Sequence, residues 1–464
     1  MSARLKYRDL LALALAGILP VGAPIGVAPL IKYAGPSAVW AVLLGYAMVA
    51  LSAVPILEYS KLARFSGGYY GLAELGLGLT AGKYTALMNY LYYLAWQAQN
   101  ALQAGWIVYS MTDDARAWLI AAVGVLLLSY LGASAPPRRY AEGLLLPVIL
   151  STTGLTVALD IYVLSSSPYR SPSLLAPPAD WGPVALAAAV QGFWLFVGYG
   201  TPLFYSEEAE RPLSDVWKAI AAATALSAAV YLLSVYAIVS AVPPADLNVL
   251  ANSPMPYIDA WSKYLPQWAL LLYPLALAPA VLAYGGPAGS HARLLWAMAR
   301  DGFIGHKKLR EVKAGVPKNA ALFNLALSAA TALGTSALTF ALYGMSPAAA
   351  EEAWLEVSTA ATVLWYFHHV PPELALYPLL RKRPGLVKSR AEAVLTGVLA
   401  PAAGLAIFLY TLYYTAVYRS YLPAVCASLA VAVAALVYTL IKRARGTLGS
   451  STAAYLLAER GGQL

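Results

Sequence analysis

Apolar residues in this chain come in long runs, and polar and charged residues collect in the short segments between them. Twelve runs reach spanning length and predict helices at Leu10–Tyr33, Ala38–Tyr59, Thr85–Tyr109, Ala117–Leu131, Ala141–Leu164, Pro183–Tyr205, Val216–Ala241, Pro266–Met298, Asn319–Leu342, Leu355–Leu379, Ala391–Tyr418 and Leu422–Ile441. The fourth is the shortest. Two of them, in corresponding halves, are broken by glycine and proline near the middle: the first reads LLALALAGILPVGAPIGVAPLIKY and the sixth PVALAAAVQGFWLFVGYGTPLFY. A helix interrupted in lipid leaves backbone N–H and C=O groups unpaired, at several kcal/mol each. It survives only where protein, water or a ligand satisfies them.

Paired breaks of this kind are expected of secondary transporters built from inverted repeats, with substrate held between the broken segments. Composition agrees on the class. Hydrophobic residues make up 60% of the 464 and charged residues 11%, against about 25% charged in soluble domains, which reads as an integral membrane protein. The first apolar run is long enough to span and lacks a small-residue cleavage site, so no cleavable signal peptide is expected. Cys426 is the lone cysteine, which excludes an internal disulfide and a cysteine-based metal or iron–sulfur site. With the N-terminus cytoplasmic, only Lys32, Arg116, Arg170, Lys263 and Arg419 of the 31 Lys and Arg fall in outside loops. The positive-inside rule selects that orientation and accounts for the net charge of +9. Basic clusters at Lys307, Lys308, Arg310, Lys313 and at Arg381, Lys382, Arg383 directly follow spans, so membrane topology rather than nucleic acid explains them.

Three groups of residues carry a family pattern. The first is Gly22, the turn Ala34-Gly-Pro-Ser-Ala-Val-Trp and the run Glu58-Tyr-Ser-Lys-Leu-Ala-Arg-Phe-Ser-Gly-Gly-Tyr-Tyr. The second is Phe193-Trp-Leu-Phe-Val-Gly-Tyr-Gly with Glu207-Glu-Ala-Glu-Arg-Pro. The third is Leu294-Leu-Trp-Ala-Met-Ala-Arg-Asp-Gly-Phe with Gly315-Val-Pro-Lys-Asn-Ala. Their order and spacing, over about residues 8 to 385, resemble the amino acid–polyamine–organocation transporters. The resemblance implies an all-α, leucine-transporter-type fold. Residues 10–164 and 183–380 would form two inverted repeats of five helices, 391–441 two peripheral helices, and 442–464 a cytoplasmic tail.

Each break has a physical use. An unwound turn at Gly22, Ala23, Pro24, Ile25 and Gly26 would aim a half-helix N-terminus at an anion such as a substrate carboxylate. Gly198, Tyr199, Gly200 and Pro202 would offer carbonyls to a substrate ammonium. A kink serving only close helix packing is the other reading of both. By resemblance, Trp194 falls at an aromatic gate, Asn100 at a pocket-lining position and Pro287 where arginine-type antiporters carry a stacking aromatic. Several departures bear on the substrate. Family members commonly have Gly-Ser-Gly where this chain has Gly22, Ala23 and Pro24, which supply neither the hydroxyl nor one N–H, so carboxylate recognition would fall to Ile25, Gly26 or another helix. Arginine-type antiporters have an acid at Gly200, and proton-coupled members a lysine at about Ile149. A cationic substrate side chain and that lysine device are therefore not expected.

Ionisable and amide groups inside spans are costly in hydrocarbon and face a cavity or a partner. The third span carries Gln97, Gln99, Asn100 and Gln103, which either line a pocket or bridge neighbouring helices. The eighth has Gly285, Gly286, Pro287, Gly289, Ser290 and His291. The tenth has His368 and His369, able to carry protons near neutrality, with Glu373 four residues on and Pro371 and Pro372 distorting the helix between. Adjacent histidines diverge by about 100°, which disfavours a metal. The chain lacks a His-Glu-x-x-His run, a phosphate loop and a nucleophile elbow. The expectation is thus a carrier in the cytoplasmic membrane, both termini inside, without enzymatic activity, metal or cofactor. It would move a neutral, apolar or bulky amino acid by alternating access, with H⁺ as coupling ion. An amine or polyamine carrier is the alternative, followed by a membrane-embedded enzyme or a channel.

Overall fold

The computed structural model describes residues 4–167, 175–251, 253, 259, 261–263, 266, 269–382, 389–417 and 422–451; within these, the side chains of 19–29, 190, 244, 248, 251, 269–284, 411 and 414–417 lie outside the described set. Helices occupy the apolar runs: α1 Tyr7–Ala34, α2 Ala38–Leu62, α3 Tyr69–Leu77, α4 Leu79–Thr112, α5 Ala115–Ser134 and α6 Pro137–Ser166, the last passing through a π turn at Ala141–Leu145. An interrupted segment beginning with α7, Gly182–Ala187, comes next. Then follow α8 Pro212–Ala241, α9 Pro244–Ala251, α10 Ala269–Arg300, α11 Lys318–Tyr343 and α12 Pro347–Lys382. After α13, Arg390–Val394, a π turn leads into α14, Ala400–Val417, and α15, Leu422–Ala444, ends the described helices. Seven helical stretches among the described residues are long and apolar enough to cross a membrane. α4 and α12 overshoot their predicted spans at both ends, because polar turns continue the helix beyond the apolar run.

The two expected breaks differ. After α7 the backbone passes through a π turn at Ala188–Gly192 and a 3-10 turn at Trp194–Phe196, extends at Val197, and resumes as a 3-10 helix at Thr201–Glu208. This interruption matches the one read from the sixth apolar run. α1, in contrast, is helical from Tyr7 to Ala34, straight through the expected opening. The side chains of Gly22, Ala23, Pro24, Ile25 and Gly26, with the roles expected of them, lie outside the described residues.

Packing places the interruption at the centre. α1 lies between α8 and α10 and runs past the broken segment, while α12 packs along α4 and α3. Leu5 and Ser450, near the two ends of the described chain, lie at the same end of the bundle. Leu5 pairs with the backbone of Glu208 and Glu210 just after the broken helix, and Ser450, past α15, donates its N–H to the carbonyl of Asp301 at 2.7 Å.

Candidate functional site

Gly198 holds the interruption open. Its φ of 107° is a conformation side chains rarely adopt, and its position allows no Cβ in any case: one built there would lie 2.5 Å from the carbonyl oxygen of Gly17 on α1. The reverse also holds, since a Cβ at Gly17 would meet the Gly198 carbonyl at 2.5 Å. Two backbones therefore touch where α1 crosses the break. The Gly198 carbonyl accepts from the Thr201 N–H at 3.1 Å and the Thr201 hydroxyl at 2.8 Å. Both its lone pairs are thus engaged within the break, and the Gly200 carbonyl in turn accepts from the Leu203 N–H at 3.0 Å. One residue along α1 from Gly17, the carbonyl of Ile18 accepts a hydrogen bond from the Tyr231 hydroxyl of α8. Backbone polar groups on both sides of the crossing are thus supplied with partners from inside the protein, as the bilayer requires.

Rings and imidazoles surround the break. Tyr199 is buried, and its hydroxyl lies 2.7 Å from Nε2 of His369 on α12. The Tyr69 hydroxyl, from the start of α3, rests against Gly200, where a methyl would overlap it. The Tyr69 ring also packs against Phe204, His368 and His369. Trp365 stacks on His369 with centroids 4.1 Å apart, and Tyr92 of α4 stacks on His368 at 4.8 Å. His291 of α10 sits between Tyr90 and Tyr93, with Nδ1 2.8 Å from Nε2 of Gln97. Of the polar residues read from the third and eighth runs, Gln97 and His291 thus meet, while His368 and His369 of the tenth face Tyr92, Tyr69 and Tyr199. Asn100 and Pro287 are buried on α4 and α10. Trp194 is only half-buried, whereas its neighbour Phe193 is the ring packed between Trp365 and Tyr366.

The two histidines have unequal surroundings. His368 has its Nδ1 3.4 Å from the Leu364 carbonyl and aromatic rings elsewhere. His369 has Glu373: Nε2 lies 3.3 Å from Oε1, both side chains fully buried. Pro371 and Pro372 remove the N–H groups that would bond the carbonyls of Phe367 and His368, yet α12 continues through them and the i,i+4 pair forms.

Several participants were given no role from the sequence. Gly17 sits ahead of the glycine cluster at 22–26 and lies on no motif. Tyr69 belongs to the Ser-Gly-Gly-Tyr-Tyr run, whose only signal was its resemblance. Two arginine–carboxylate forks, Arg293 with Glu208 at 2.6 and 3.1 Å and Arg300 with Glu207 at 3.0 and 3.2 Å, fasten α10 to the segment after the break. Lys83, fully buried, reaches Asp301 at 2.7 Å and Glu74 at 3.3 Å. All of these ion pairs lie at the end of the bundle where Leu5 and Ser450 pack.

A sequence model described as amino acid permease matches residues 9–441. None of the curated proteins matches the chain by sequence. Among solved structures, MhsT in complex with L-phenylalanine is similar at a TM-score of 0.59 and 16% identity, covering 87% of this chain and 98% of its own. The manganese transporter of Eremococcus coleocola, in complex with an aromatic bis-isothiourea compound, is similar at a TM-score of 0.61 and 12% identity, covering 95% and 94%. At these identities the likeness is one of fold.

Proposed function

The chain belongs to the amino acid permease family, and from that premise we propose that it is a secondary carrier for a neutral amino acid with an apolar or bulky side chain. It is a multi-pass membrane protein with a small-molecule substrate. The observation that carries the proposal is the broken helix itself: an open backbone at Val197–Gly200, pressed onto α1 at Gly17 and lined by Tyr69, Tyr199 and the rings of α4 and α12. Tyr199 and Gly200 supply backbone polar groups for the ammonium or carboxylate, and the aromatic walls suit an apolar side chain. Gly200 leaves the pocket without the acid a cationic side chain would need. That one neighbour in fold, MhsT, was solved with L-phenylalanine supports the same class.

Around this site we place twelve spans in two inverted repeats, 10–164 and 183–380, with 391–441 peripheral. The end carrying the ion pairs faces the cytoplasm, following the distribution of Lys and Arg. Gly22 to Gly26, Asn100, Trp194 and Pro287 remain candidates to complete the pocket, and a proton is the proposed coupling ion.

Purified protein in liposomes, given a panel of radiolabelled amino acids and amines, tests this. Saturable uptake or exchange of a neutral amino acid is expected, and Gly198→Val, correctly inserted, should lose it. Flux of amines alone would replace the amino acid by an amine as substrate, and no flux of any compound would reject a carrier function.

A further inference from the structure

His369 and Glu373 sit deep in α12, are fully buried, and face each other at 3.3 Å, while the same His369 nitrogen lies 2.7 Å from the hydroxyl of Tyr199 in the broken helix. Every surrounding element contributes neutral groups. Ser52 of α2 lies against both members of the pair, Tyr69 of α3 packs on His369, and Trp365 and His368 flank it on α12. Tyr92 of α4 covers His368, and the backbone of α14 at Gly404 closes over the carboxylate, where a methyl would overlap Glu373 Oε2. Among the described residues, His369 is the ion-pairing partner of Glu373, and no lysine or arginine comes within that reach.

Charge counting gives the consequence. With one proton on the pair, two arrangements satisfy the geometry. Glu373 is an acid and neutral His369 accepts the Tyr199 O–H at Nε2, or an imidazolium faces a carboxylate. Both have zero net charge. Removing the proton to water leaves an unbalanced carboxylate in a dry site, a change costing several kcal/mol. The closed site therefore keeps its proton, and release requires water to reach it. Tyr199 is the residue that would register such an opening, because its ring touches the pair while its backbone belongs to the break.

We propose that His369 and Glu373 form the proton-binding site of this carrier, and that Tyr199 links its occupancy to the state of the broken helix. This rests on the reading of the break as the substrate site. Each cycle would then carry one H⁺ with a zwitterionic substrate: the proton adds to the pair from one side of the membrane and leaves to water on the other, with no other bond made or broken.

Two measurements test it. Infrared difference spectra of the purified protein between about pH 5 and 8 need no substrate, and should show either a protonated carboxyl band or paired imidazolium and carboxylate bands, absent in Glu373→Gln and altered in His369→Gln. In liposomes with an acid-outside gradient, the neutral amino acid carried best in the panel should accumulate, and Glu373→Gln should reduce that accumulation by about tenfold while substrate-for-substrate exchange continues. Absence of both signatures from the wild-type protein overturns the proposal, as does gradient-driven accumulation that survives in both variants. If no amino acid is carried by the wild-type protein, the substrate reading fails, and the infrared result alone decides whether the pair binds a proton.

Discussion

The fully buried Lys83 shows how much of this molecule rests on charges that no local pattern predicts. Its ammonium meets Asp301 at 2.7 Å, Glu74 at 3.3 Å and the Ser450 carbonyl at 2.9 Å, and Tyr70 donates to the same Asp301 oxygen at 3.0 Å. Removing one member of a buried ionic cluster strands the others, at about 3–5 kcal/mol. Lys83→Met should therefore lower thermal stability strongly at neutral pH. The pH dependence has a definite sign. Burial already holds the Glu74 carboxyl above its ordinary range, and Lys83 pulls it down. Without Lys83 it rises further in the folded state, so the variant loses stability as pH rises through the carboxylate range and regains it on acidification toward about pH 5. Melting curves at both pH values check this; equal loss at both would show that packing of the lysine stem, not charge, is what matters. Sequence could not have assembled this cluster, since Lys83 and Asp301 lie 218 residues apart. The intramembrane residues were more legible, because a histidine or glutamate inside an apolar run stands out wherever its partner lies.

At the level of elements, the interruption after α7 was readable because Gly198, Gly200 and Pro202 fall inside one apolar run. The choice of Gly17 as its contact was not, because a single glycine in a helix looks the same whether it meets backbone or lipid. The segment after α15 was equally silent and turns out to be a strap. Lys442, in the last turn of α15, donates to the Phe303 carbonyl, and beyond the helix Leu448 is buried and Ser450 bonds Asp301 through N–H and hydroxyl. Gly449 makes the crossing possible: its φ is 83°, and a side chain there would run into the backbone of Asp301 to Phe303. Gly449→Val should lift the strap off and expose the Lys83 cluster. Faster amide exchange is expected at Asp301 and across residues 446–451, with exchange in α5 and α8 unchanged; protection preserved at Asp301 would show that the loop holds without the strap.

For the whole molecule, the ion pairs fasten one end of the bundle. Arg293–Glu208, Arg300–Glu207 and Lys83–Asp301 all join the segment after the broken helix, or α4, to the last turns of α10 and the loop beyond. On the proposed alternating-access reading, opening this end would require them to separate, so they would set the balance between closed and open states. Arg300 and Glu207 are about a quarter exposed, and a partly solvated pair of this kind contributes about 1 kcal/mol, a factor of about five in that balance. The lone cysteine gives the measurement. With Cys426→Ala as background and Ala209→Cys placed at the buried seam beside Leu5, a maleimide should react slowly in the parent protein. Adding Arg300→Ala should speed the reaction about fivefold, and a saturating substrate that favours the closed form should slow it again. A labelling rate indifferent to Arg300 would place the opening of this end in the other two pairs.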